Sequence, residues 1–175
     1  MTHLLLQKFG SSDFNDYFNL VSNESVMAMI TERSIPLDEA EVNFQKLLER
    51  NKKYEEFGSY KVYNNTTNQF VGLGSLILNE VMTNEAELGY MLLPEHWGKG
   101  YGSEIADILI RKAEKTKLNR VTAVIDPNNI PSRKILIKKG FISEKLCEIE
   151  GLPGEILIKG FIKKDSLDKQ KGSIL

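Results

Sequence analysis

Residues 94–104 read Pro94-Glu95-His96-Trp97-Gly98-Lys99-Gly100-Tyr101-Gly102-Ser103-Glu104. The stretch leaves a β-like run ending at Leu93 and enters one with Ile105, Ile108, Leu109 and Ala113 at helical spacing. It therefore predicts a strand-to-helix connection built on glycines 98, 100 and 102. Glycine lets the backbone turn tightly and approach a ligand closely. Successive N–H groups then converge on one spot, reinforced by the positive end of the following helix. That arrangement is a cradle for a pyrophosphate, to which Lys99 adds positive charge. The helix end alone contributes only ~0.3–1 kcal/mol, so the grip must come from several N–H groups together.

Two ligand-binding motifs and one ligand-free reading are to be set against such a loop. A P-loop requires G-x-x-x-x-G-K-[ST]; here Lys99 precedes Gly100 and no Ser or Thr follows it directly. A dinucleotide fingerprint requires G-x-G-x-x-G early in a βαβ unit, whereas the spacing here is G-x-G-x-G and four expected strands come before it. The ligand-free reading is a tight connection and nothing more.

Working outward, His3 to Phe9 reads as a strand. Ser11-Ser12-Asp13 caps a helix with Phe14, Tyr17, Phe18 and Val21 on one face. Pro36-Leu37-Asp38 opens a second helix with Val42, Phe44, Leu47 and Leu48 on its apolar side. Gly58 to Tyr63 and Gln69 to Leu78 form an expected hairpin across residues 64–68, and Ala86 to Leu93 a further strand. After the helix from Gly102 to about Lys117 come a strand at Val121 to Ile125 and a helix at Asn129 to Lys139, stopped by Gly140. Phe141 to Ile149 and Glu155 to Ile162 close the chain as strands around Gly151-Leu152-Pro153-Gly154. The pattern predicts an α/β chain of the α+β type, with a mixed sheet of about seven strands and helices on both faces. Residues 1–175 read as one domain, with a core of about 3–163 and a frayed tail at 164–175.

Composition narrows the function. Lys and Arg total 23 against 24 Asp and Glu, a formal charge of -1, which argues against nucleic acid as a partner. The single cysteine, Cys147, excludes an internal disulfide and a cysteine-based metal site, so no metal is expected. The N-terminal residues lack the pattern of a signal peptide, and no apolar run approaches the ~18 residues of a membrane helix. A cytoplasmic chain with no membrane partner is the expectation, as a monomer or homodimer.

Glu87-Leu88-Gly89-Tyr90 through Trp97-Gly98-Lys99-Gly100-Tyr101-Gly102-Ser103-Glu104 resembles the acyl-CoA motif of the GNAT acetyltransferase superfamily. The likeness is greatest to the branch containing the ribosomal-protein N-terminal (alanine) acetyltransferases. A second block, Asp126-Pro127-Asn128-Asn129-Ile130-Pro131-Ser132 to Lys139-Gly140-Phe141, is similar to that branch's N-x-x-S…G-F motif. The two blocks have the family's order and separation, and a weaker resemblance runs from residue 3 to 163. The resemblance implies the GNAT fold, mostly antiparallel and splayed between its fourth and fifth strands, with acetyl-CoA as cofactor. It implies that backbone groups near Met91, Leu92 and Leu93 hold the pantetheine and polarise the thioester. Gly98 to Gly102 and the helix start at Tyr101, Gly102 and Ser103 would take the pyrophosphate, Asn129 the pantetheine arm, and Trp97 would contact the cofactor or pack the loop. The implied activity is acetyl transfer to a primary amine of a small molecule or peptide, by direct attack in a ternary complex. The alternative is a non-catalytic acyl-CoA sensor; a nucleotide-binding oxidoreductase is a distant third.

Amine acetylation needs a neutral amine, and an α-amine of pKa near 8 is roughly one-tenth neutral at pH 7, against about one lysine in 2,500. Glu87 is the candidate base, by resemblance to the base glutamate of histone-type members. Glu85 lies two residues back, on the same strand face. Two close carboxylates would raise one pKa toward neutrality, while on the residues alone both also read as solvated charges on an edge strand. Many relatives place a proton-donating tyrosine four residues before the closing Gly-Phe pair; this chain has Leu136. Ser132 is the nearest substitute, and equally a hydroxyl stabilising the helix start. His3 and His96 read as surface or loop residues, and Cys147 as core. Arg133, Lys134, Lys138 and Lys139 read as either a 3′-phosphate site or a solvated face. The acceptor is expected between residues 22–36 and the turn at 150–154, without a signature.

Overall fold

The computed structural model describes residues 3–161; the expected tail at 164–175 lies outside them. The strands are β1 (Leu4–Lys8), β2 (Gly58–Asn64), β3 (Phe70–Leu78), β4 (Glu85–Leu92), β5 (Arg120–Ile125), β6 (Ile142–Ile149) and β7 (Leu152–Gly160). The helices are α1 (Phe14–Val21), α2 (Glu24–Met27), α3 (Leu37–Lys53), α4 (Tyr101–Glu114) and α5 (Ile130–Lys138). One seven-stranded sheet runs β1-β2-β3-β4-β5-β7-β6, antiparallel throughout except for β4 against β5.

The parallel pair is the feature that builds the site. β3 and β4 stay in register from Leu78↔Ala86 to Gly72↔Leu92, and β5 and β7 from Arg120↔Gly160 to Ile125↔Glu155. β4 and β5 are paired only at Glu85↔Arg120, Ala86↔Val121 and Glu87↔Thr122. Beyond Glu87 the two strands diverge, so the second half of each presents an unshared edge to a gap between them. This is the splay between the fourth and fifth strands that the resemblance implied.

Two cores hold the halves of the sheet in place. Ile105, Leu109 and Ala113 of α4 bury with Val62, Val71, Leu76, Leu88, Val121 and Leu157 on one face. Tyr17, Leu20 and Val21 of α1 and Ala40, Phe44 and Leu47 of α3 bury with Phe9 and Leu73 on the other. The helical spacings thus predicted the buried stripes, except that Val42 is exposed on α3.

Three further differences have local causes. The single-turn α2 is too short to leave a periodic pattern; it exists because Asn23 Oδ1 accepts from Val26 N at 3.1 Å. The last hairpin turns at Glu150-Gly151, both at positive φ (51° and 80°), between the paired Ile149 and Leu152. Pro153 therefore sits inside β7, not in a turn. It is tolerated there because β7 pairs with β5 only from Glu155 onward, leaving Pro153 on a free edge on that side.

Candidate functional site

The gap between β4 and β5 opens into a cleft of about 1180 Å³, which exceeds the usual range for one small ligand. Its walls come from β4, the 94–100 loop, the start of α4, the β5–α5 loop, the segment between α2 and α3, and the β6–β7 turn.

The glycine loop enters the cleft after a 3-10 turn at Pro94–His96. Trp97 closes it back onto the sheet, its indole N–H donating to Leu92 O at 2.9 Å. Gly98 and Gly100 have φ of 72° and 81°, left-handed values that favour glycine. A Cβ added to either would meet nothing within 4 Å, so open space lies directly before both. Gly100 caps α4 without any side-chain hydrogen bond, leaving the first N–H groups of the helix free for an anion. These features fit a pyrophosphate. Gly102 differs: a Cβ there would stand 3.2 Å from Ile135 Cδ1 and 3.3 Å from Tyr90 Cε2. It is glycine so that α4, β4 and α5 can pack closely.

Most expected cofactor residues line the cleft: Met91, Leu92, Trp97, Gly98, Gly100, Tyr101, Gly102, Ser103, Asn129 and Ser132. Two lie elsewhere. Leu93 packs into the α1–α3 core and its N–H is donated to Val71 O at 3.0 Å. Lys99 lines a separate hollow with Gln69, Phe70, Glu95 and His96, because Gly98 and Gly100 on either side turn it away from the cradle. The Leu92 carbonyl is likewise engaged, by Trp97.

The opposite wall is a capped helix start. Asp126 Oδ1 accepts from Asn128 N at 2.8 Å, and Asn129 Oδ1 accepts from Ser132 N at 3.4 Å, placing Asn129 at the cap of α5. Ser132 thereby faces the cleft from the first turn, and the Asn129 amide nitrogen makes no hydrogen bond among the described residues. Leu136, where many relatives have tyrosine, is 1% exposed in the core.

Glu87 stands where β4 and β5 part and lines the cleft. Its side chain reaches solvent through the open mouth, yet the cleft walls crowd it, and burial pushes its carboxyl above the ordinary carboxylate range. Water in the cleft moderates that push. Glu85 is not the cause: it is buried and ion-paired with Arg120 on β5, its cross-strand neighbour. The expected two-carboxylate coupling is therefore replaced by desolvation alone.

The basic residues of α5 divide. Arg133 Nε donates to Glu155 at 2.9 Å and 3.3 Å, and Lys139 pairs with Asp107 at 2.9 Å. Lys134 alone of the four lines the cleft. Burial pushes the Glu155 carboxyl up, but hydrogen bonds from Ser143 and Arg133 outweigh it and hold it below the usual range. His96 is not a surface residue: it is buried against Tyr101, ring centroids 6.1 Å apart. Cys147 is half-buried on the outer strand β6, not in a core.

The far end of the cleft is lined by Met29, Ile30, Thr31, Glu32 and Arg33 on one side and Ile149, Glu150, Leu152 and Pro153 on the other, which is where the acceptor was expected. Arg33 is occupied by both oxygens of Glu39, at 3.1 Å and 2.7 Å.

The family model described as Acetyltransferase (GNAT) domain matches residues 3–142. The chain belongs to the GNAT acetyltransferase family. Members of this family use acetyl-CoA, and the cleft has the openings such a cofactor needs. An uncharacterised N-acetyltransferase, p20 of Bacillus licheniformis, is 36% identical over 81 residues, so the aligned part spans 46% of either chain. Among solved structures, spermidine N-acetyltransferase from Vibrio cholerae, in complex with CoA and spermine, superposes with TM-score 0.77 at 20% identity, covering 91% of this chain and 96% of that one. RimL, a ribosomal L7/L12 α-N-protein acetyltransferase in complex with CoA, has TM-score 0.76 at 16% identity, covering 92% and 96%. At those identities the structural likeness speaks for the fold. Among the described residues no helix is long and apolar enough to cross a membrane.

Tyr90 is the site residue that sequence reasoning missed. It lines the cleft beside Ser132, with its hydroxyl buried and without a hydrogen-bond partner among the described residues. In the sequence it stands only as the last residue of the Glu87–Tyr90 block, and no spacing rule marks an unsatisfied hydroxyl.

Proposed function

We propose that this chain is an N-acetyltransferase that moves an acetyl group from acetyl-CoA to a primary amine by direct attack in a ternary complex. The observation that carries the reading is the continuity of one cleft: the glycine cradle, the β4 edge, Glu87 and the acceptor walls all open into it. Bound acetyl-CoA supplies an activated acetyl thioester. Backbone N–H groups of Gly98 to Ser103 would hold the pyrophosphate, Lys134 would meet the 3′-phosphate, and the side-chain amide of Asn129 would meet the pantetheine arm. Glu87 Oε takes the proton from the attacking amine; its raised pKa suits that task better than an ordinary carboxylate's. The Ser132 hydroxyl donates a hydrogen bond to the departing sulfur. A thiolate of pKa ~8.5 then takes its proton from solvent at little cost near pH 7.

The reading assigns residues 1–175 to a single acetyltransferase domain acting in the cytoplasm, as a monomer or homodimer. Neither nucleic acid nor membrane is its partner. The N-x-x-S…G-F block favours the branch of ribosomal-protein N-terminal acetyltransferases, hence a peptide α-amine over a polyamine as acceptor. Leu136 in place of tyrosine favours the second reading, a cofactor sensor without turnover. Thiol release from acetyl-CoA, measured with an alanine-initiated tetrapeptide, spermidine, free lysine and an aminoglycoside, separates them. Release with the tetrapeptide is expected; binding of CoA without release from any acceptor overturns the catalytic reading in favour of the sensor.

A further inference from the structure

Tyr90 Oη is the one buried side-chain polar atom among the described residues that has no hydrogen-bond partner. Such a group is unfavourable by roughly 1–3 kcal/mol in a folded chain, so its retention asks for a reason. The ring is packed along one edge. Its edge lies against Gly102 at the start of α4, so close that a Cβ there would stand 3.3 Å from Cε2. The hydroxyl faces Ser132 on the first turn of α5: burial raises the phenol pKa and the serine hydroxyl offsets part of the rise, though the two are not in hydrogen-bonding geometry. Tyrosine and serine thus approach from opposite sides of the β4–β5 gap, the first carried by the sheet and the second by a capped helix.

We propose that Tyr90 is a positioning residue for acyl transfer: its otherwise unpartnered hydroxyl donates to Ser132 Oγ and aims the serine's own O–H at the leaving sulfur. The inference rests on the acetyltransferase reading above. Tyr90 gives up no proton. With its phenol raised above the ordinary value by burial, Tyr90 would have to protonate a thiolate of pKa ~8.5, an uphill transfer. The pair stays neutral. The amine's proton goes to Glu87, the carbon–sulfur bond breaks as the carbon–nitrogen bond forms, and the sulfur is stabilised by the Ser132 hydrogen bond until solvent protonates it. With Leu136 buried, no tyrosine approaches from the helix side at that position. Tyr90 reaches the serine from the sheet instead.

The test compares Tyr90→Phe, Ser132→Ala and the double variant with wild type in three measurements: thermal unfolding without ligand, CoA affinity by calorimetry, and kcat and KM for the best acceptor of the amine panel. Y90F keeps the ring and removes only the orphan oxygen. Its melting temperature should equal or exceed wild type, its CoA affinity stay within twofold, and its kcat fall about tenfold at unchanged KM. Because the two hydroxyls act as one unit, the double variant should be no slower than S132A. A melting temperature several degrees below wild type means that the hydroxyl is already satisfied structurally, and overturns the proposal. So does wild-type kcat in Y90F, or a double variant slower by the product of the single losses. A wild-type protein that binds CoA but acetylates no amine in the panel overturns the acetyltransferase reading and this proposal together, whereas an active wild type with an unimpaired Y90F overturns this proposal alone.

Discussion

The half of the cleft proposed to hold the cofactor is made largely of backbone, and the half proposed for the acceptor of side chains. On one side Gly98, Gly100 and the uncapped start of α4 present N–H groups to open space. On the other, Met29, Ile30 and Ile149, each 38–43% exposed, face one another with Glu32 and Glu150. Backbone recognition constrains which residues can stand at a position, so it leaves glycines at fixed spacing in the sequence. Side-chain recognition leaves no such trace, because many combinations of apolar and charged residues make an equally serviceable wall. The first half can be named from the sequence; the second has to be measured.

The largest effect expected breaks the backbone half. Gly100→Val places a branched side chain in the open cradle at a φ of 81°, where a side chain is also strained by ~1–2 kcal/mol. CoA affinity by calorimetry should fall more than about a hundredfold, and wild-type affinity in this variant would mean the cradle is elsewhere. Next comes the proposed base between the halves. Glu87→Gln should lower kcat by about a hundredfold, with CoA affinity within twofold. In wild type, activity falls as pH drops through the raised pKa of Glu87, because the base is then protonated. That acidic limb should lie above the ordinary carboxylate range and vanish in E87Q. The stability sign is opposite. A carboxyl whose folded-state pKa is raised makes the folded state less stable above that pKa, so E87Q should melt at or above wild type at pH 7. Below the ordinary carboxylate pKa, where both side chains are neutral, the advantage disappears.

Smaller effects sharpen the contrast between glycines. Gly102→Val collides with Ile135 and Tyr90 and should cost about 1–3 kcal/mol, a fall of roughly 3–10 °C in melting temperature. Arg133→Ala leaves the buried Glu155 without its ion-pair partner and should cost about 1–2 kcal/mol, moderated because the arginine is partly exposed. Glu155's folded-state pKa is lowered, so its contribution is present at neutral pH and lost as pH falls from the ordinary carboxylate range toward that lower value. The difference in melting temperature from wild type should narrow over the same window. The smallest effect is expected in the acceptor half. Ile30→Ser should raise the KM for the amine about three- to tenfold, leaving kcat and CoA affinity unchanged; a loss of CoA affinity would show that the two halves are not separate.

The fold was largely legible because most strands and the helices α1, α3 and α4 carry their own period of apolar residues. The exceptions are instructive. Pro153 reads as a breaker but lies inside β7, since a strand end that has outrun its neighbour can dispense with an N–H. Glu85 reads as a second carboxylate of the site but is matched by Arg120, a pairing that depends on parallel register 35 residues away. Lys99 reads as a phosphate ligand, yet the glycines that make the cradle also turn it outward. Glu87 and Ser132 were named by their resemblance to family motifs and the glycine loop by its spacing, and all of these line one cleft. Tyr90's unpartnered hydroxyl and the apolar acceptor walls arise only once separate elements meet.

The most direct measurement is thermal unfolding with and without acetyl-CoA, with NADH and ATP as controls. At a hundred times its dissociation constant a ligand adds ~2.7 kcal/mol, which for a chain of this size is a rise of roughly 5–10 °C. A rise with acetyl-CoA alone is the expected result. No rise with acetyl-CoA, or an equal rise with NADH, contradicts the assignment of the glycine cradle, and with it the roles given to Glu87 and Ser132.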